Sequence, residues 1–122
     1  MLVVHMGLSR ACLIFVGLIG LWSLYEGLRG RGPSGSLLGG VVICEALLIA
    51  EVLVGLSLLA NEGWTLPRPF LHFLYGAVAV VSLPAMYGYL SRLPHPRAMN
   101  FGFSVTCGFV FLALLRAVQV AY

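Results

Sequence analysis

The chain has 122 residues, of which 61% are hydrophobic and only 9% charged, with a mean hydropathy of +1.03. That composition excludes an ordinary soluble globular domain and marks an integral membrane protein. Seven Arg stand against four Glu with no Lys or Asp, and the arginines are scattered singly, so the net charge of +3 carries no signal for nucleic-acid binding.

A membrane-spanning helix needs about 20 mostly apolar residues, and four stretches meet that length: 2–27, 37–60, 70–91 and 99–121. The first opens MLVVHMGL, which lacks the basic start of a signal peptide, and its apolar run has no small-residue cleavage site to close it. It holds His5, Arg10 and Cys12, with Glu26 near its far edge. The link LRGRGPSGS then supplies Gly and Pro as breakers. The second stretch carries Cys44, Glu45 and Glu51 and gives way to NEGWTLPRP. The third begins FLHFLYG, placing His72 in its opening turn, and contains Pro84, which is expected to kink it at or just before Leu83. After SRLPHPR, the fourth carries Cys107 and Arg116. The three cysteines have neither zinc-site nor disulfide spacing and read as small packing residues.

Links this short force neighbouring helices to run antiparallel, so the expected fold is all-α: one domain over residues 1–122, an up-down-up-down four-helix transmembrane bundle. Arg29, Arg31, Arg92 and Arg97 fall in the first and third links, whereas Arg68 in the second is offset by Glu62. The positive-inside rule therefore puts the first and third links on the cytoplasmic side and both termini outside. Trp64, Tyr25 and Tyr122 fall near the expected interfaces, as aromatic belt residues do. Glycines recur in every span, where they permit close helix approach or leave a slot for a flat ligand.

An ionisable residue inside a span costs several kcal/mol, at least about 2.5 on insertion scales, and marks a candidate functional site. His5 and His72 both lie within the first turn or so of an inward-running helix; Arg10 is about 7 Å deeper than His5, Arg116 about 9 Å below the chain end, and Glu51 about 13 Å below the end of its helix. All five converge on the outer half of the bundle. Glu45 lies nearer the cytoplasmic half and is turned about 120° from Glu51, which disfavours a paired-carboxylate catalyst. The expected partners of Glu51 are Arg10 and Arg116, in a pair or triad that either fixes helix register or attracts an anionic group such as a haem propionate, a lipid phosphate or a quinone head. His95, between two prolines in the third link, reads as a solvated loop residue.

In a cyclic four-helix arrangement the first and third helices lie diagonally across the core. His5 and His72 would then face one another at matching depth, as bis-histidine ligation of haem b requires, with Tyr75 in position to hydrogen-bond into the site. The positions stacked beneath them are small: Ser9 and Cys12 under His5, Gly76 and Ala79 under His72. This plan, with its His pair and the HFLYG stretch from His72 to Gly76, resembles the small membrane cytochromes b: the cytochrome b561 type, the haem A synthase half-bundles and the anchor subunits of succinate dehydrogenase. HFLYG is similar to the HxxxG near haem ligands in such proteins, although no second His pair is present. The resemblance implies a haem b site with His5 and His72 as axial ligands.

The sequence thus points to a small electron-transfer subunit in a bacterial cytoplasmic membrane, binding haem b near the outer face or seating a quinone. Arg10, Arg116, Glu51 and Tyr75 would line the site. The alternative is a non-catalytic accessory subunit that packs against a larger respiratory or photosynthetic complex and binds lipid or pigment. Enzyme chemistry of the soluble type has no support, because no nucleophile and base pair, metal-ligand cluster or phosphate loop is present. A channel would need a polar file through both leaflets, and the inner half offers little beyond Glu45.

Overall fold

The computed structural model describes residues 2–62 and 66–121. They form four α-helices: α1 Leu2–Leu28, α2 Gly35–Glu62, α3 Pro69–Leu90 and α4 Pro96–Ala121. All four are long and apolar enough to cross a membrane, which makes the chain a multi-pass membrane protein. Trp64 and Tyr122, expected at the interfaces, lie outside the described residues.

The helix ends follow local chemistry. Gly30, at φ 75°, closes α1: its N–H donates to the Gly27 carbonyl and the next N–H, from Arg31, reaches back to Glu26. This is the Schellman arrangement, and glycine enters the left-handed region without steric cost. Ser34 caps α2, its Oγ accepting from the Leu37 N–H at 3.1 Å. Helices α3 and α4 each begin on a proline, Pro69 and Pro96, where the missing N–H is one that no helix would have used. That preference starts α4 three residues before the apolar run at 99. Pro84 lies within α3, which continues unbroken to Leu90.

Helix α4 packs closely on both α1 and α3, α1 also packs on α2, and α2 touches α3 only slightly; the two diagonal pairs make no close backbone approach among the described residues. Small residues set these approaches. A Cβ on Gly17 would meet Phe111, one on Gly20 would meet Cys107 at 3.0 Å, and one on Gly27 would meet Phe101 at 3.0 Å. Positions therefore fall along α4 as they rise along α1. Because lipid is as apolar as the side chains, such close fitting and interhelical hydrogen bonds hold the helices together.

The core contains Val16, Leu48, Leu83, Phe103 and Val110, all essentially inaccessible, and the three cysteines pack among them as free thiols. Near the first link, the fully buried Asn100 donates from Nδ2 to the Arg31 carbonyl at 2.8 Å and so ties the start of α4 to the end of α1. Tyr87 of α3 stacks on Phe103 of α4, with centroids 6.5 Å apart and planes 10° from parallel.

Candidate functional site

At the opposite end from the Asn100 tie, the four helices line a partly open cavity of about 620 Å³. Each helix contributes to its wall. Helix α1 supplies His5, Ser9 and Arg10; α2 supplies Glu51, Val52 and Gly55; α3 supplies His72, Phe73 and Gly76; α4 supplies Leu114, Ala117 and Val118. The lining is mainly apolar, and its polar groups are few.

His5 is the most buried of these polar groups, at 7% exposure. Its ring comes so close to α2 that a Cβ at Gly55 would lie 3.0 Å from Cε1. Glycine is what lets the imidazole sit against that backbone. One turn away on the same helix, Glu51 presents Oε1 at 3.1 Å from His5 Nδ1. Across the cavity, His72 places its own Nδ1 2.9 Å from the Ala117 carbonyl oxygen of α4. A carbonyl can only accept, so that ring must carry its proton on Nδ1. The two imidazoles have centroids 6.3 Å apart with planes inclined at 67°.

Three of the residues expected to form a site are therefore together: His5, His72 and Glu51. Arg10 reaches the cavity wall as an exposed side chain. The expected pairing of Glu51 with Arg10 and Arg116 is not what forms, since the carboxylate sits against His5. Arg116 is exposed and donates to Gln119 Oε1 at 3.1 Å. The cavity face of α4 is defined by Leu114, Ala117, Val118 and Ala121, and residue 116 is turned roughly 150° from its centre at 100° per residue. Tyr75 is also off the wall: α3 faces the cavity through His72, Phe73, Gly76 and Ala77, and residue 75 lies roughly 130° from the middle of that arc. Of the small residues beneath the imidazoles, Ser9 and Gly76 line the cavity, while Cys12 and Ala79 belong to the packed core below it.

Outside the cavity, Glu26 lies 3.6 Å from Arg31, and Arg29 donates to the Tyr25 hydroxyl at 2.7 Å. His95 is exposed in the third link, as its setting implies. Gly55 and the Ala117 carbonyl are the site groups that sequence alone does not single out. A glycine has no chemistry to announce, and a backbone carbonyl has no residue code.

Among the described residues no group of three or more His, Cys, Asp or Glu could hold a metal ion. Two imidazoles on opposite sides of one metal, with bonds of about 2 Å and about 1 Å more to each ring centre, have centroids about 6 Å apart. The observed spacing meets that figure. A two-histidine site suits a metal that brings its own remaining ligands, as the iron of a porphyrin does. Metal-binding histidines also characteristically direct one ring nitrogen to a carboxylate or a backbone carbonyl; here His72 Nδ1 bonds the Ala117 carbonyl, and His5 Nδ1 lies 3.1 Å from the Glu51 carboxylate. The residues present thus fit a haem.

The chain matches no family model, no curated protein and no solved structure with which it was compared.

Proposed function

We propose that the protein is a small electron-transfer subunit that holds one haem b between α1 and α3, with His5 and His72 as axial ligands. The observation that carries this reading is the pair of second contacts. Glu51 Oε1 lies 3.1 Å from His5 Nδ1 and the Ala117 carbonyl 2.9 Å from His72 Nδ1, contacts of the kind that steady a ligating imidazole, and the 6.3 Å between ring centroids suits a single metal. When bound, the haem would supply a one-electron couple. The chain's part is to fix the two imidazoles, keep water from the iron with apolar walls, and present Arg10 and Ser9 to the polar edge of the group.

The same reading takes the four helices as an antiparallel up-down-up-down bundle with both termini outside, in a bacterial cytoplasmic membrane. The opposed registers of α1 with α4, and the arginines of the first and third links, support that orientation. The haem then lies in the outer half of the bilayer. Binding is tested by purifying the chain in mild detergent with haem supplied during expression, then measuring the haem-to-protein ratio for the wild type, His5→Ala and His72→Ala. About one haem per chain is expected, with six-coordinate low-spin spectra lost in both variants. Haem that survives in both substitutions rejects these ligands, and a colourless protein carrying a quinone instead points to the other occupant.

A further inference from the structure

Glu51 is more than one ligand contact requires. Its Oε1 faces His5, but Oε2 is buried with no hydrogen-bond partner among the described residues, and the whole residue is only 9% exposed. A carboxyl in so apolar a place is costly as an anion: it takes up a proton unless a positive centre shares the space. The nearby cations do not supply one. Arg10 is exposed at the wall, and Arg116 is bonded to Gln119 on another face of α4.

A ferric haem core would supply that charge. Ferric iron in a doubly negative porphyrin leaves one net positive charge, and reduction by one electron removes it. A fixed carboxylate in a low-dielectric cavity is attracted to the first state and gains nothing from the second. Its Oε1, 3.1 Å from His5 Nδ1, acts in the same direction, because a negative charge beside the imidazole favours the more positive state of the metal that the ring would hold.

Resting on the haem reading above, we propose that Glu51 is a positioning residue for His5 and the counter-charge of the oxidised haem, holding the couple at a lower potential than the two histidines alone would set. The step concerned is transfer of one electron from a one-electron donor to the iron. No bond is made or broken, and no proton needs to move.

The test is a spectroelectrochemical titration of the purified holoprotein, with dithionite as reductant and ferricyanide as oxidant. Wild type is compared with Glu51→Gln, which keeps the side chain's size and an acceptor oxygen but removes the charge. Glu45→Gln, on the same helix but outside the cavity, is the control. At a fixed potential, Glu51→Gln is expected to raise the ratio of reduced to oxidised haem at least tenfold, which for one electron is about 59 mV in midpoint, whereas Glu45→Gln changes it much less. The ferric low-spin resonance should shift in Glu51→Gln as the His5 ring loses its anionic partner. An unchanged midpoint with haem bound overturns the counter-charge role and leaves the haem site standing. Loss of haem from Glu51→Gln overturns it as well, since removal of charge alone should not empty the site. A wild-type protein that binds no haem overturns both proposals.

Discussion

His5 sits on α2 only because residue 55 has no side chain, and this makes Gly55 the sharpest steric test of the site. Gly55→Ala would bring a methyl 3.0 Å from His5 Cε1, beside an Nδ1 that already lies 3.1 Å from Glu51 Oε1. The imidazole would have to tilt, so the variant is expected to retain less than half of the wild-type haem when pigment is measured against protein. Gly39→Ala, on the same helix with nothing within 4 Å, is expected to retain all of it. Equal retention by the two would show that the slot at Gly55 does not position the ligand. At this scale the sequence was legible in part. His5, His72 and Glu51 stand out because ionisable residues are expensive in a bilayer. Their partners do not, because choosing between His5 and two arginines for Glu51 requires the rotation of each helix. The arginines are also long enough to turn away, and Arg116 does so.

The four elements were legible nearly to their ends, since a continuous apolar run of spanning length is a strong signal and the links carry Gly and Pro. What hydropathy could not give was helical phase. The helices are apolar nearly all round, so no stripe says which side faces inward. Close contacts decide it instead, at Gly20 on Cys107 and Gly27 on Phe101. The polar tie at Asn100 belongs to this level. Asn100→Ala removes the hydrogen bond to the Arg31 carbonyl that ties α4 to the end of α1. Leaving such a group without its partner costs about 1–3 kcal/mol. A corresponding loss of thermal stability is expected in a detergent melt followed by circular dichroism, with haem retention per folded chain unchanged because the cavity lies at the far end. A melt that does not move would mean that the α1–α4 packing holds without the tie.

For the molecule as a whole, the cavity and the arginine-bearing links lie at opposite ends of the helices, so on the proposed reading orientation would fix the side of the membrane from which electrons reach the site. The three native cysteines are buried as free thiols, which makes introduced cysteines clean reporters. Ser91→Cys, in the exposed third link, is expected to resist a membrane-impermeant maleimide on intact cells and to react after the membrane is broken. Labelling of intact cells would reverse the orientation and put the haem in the inner half. Composition alone made the membrane character plain, but the proposed cofactor site depends on two ring contacts that bring together residues 5 with 51 and 72 with 117. No local pattern in the chain records those pairings.

The measurement closest to the central claim is the dithionite-reduced minus oxidised absorption spectrum of the wild-type chain, purified in mild detergent after expression with haem available. A bis-histidine haem b gives a sharp α-band and a shifted Soret band on reduction, and the account predicts both. A folded, helical protein with a featureless difference spectrum would contradict it.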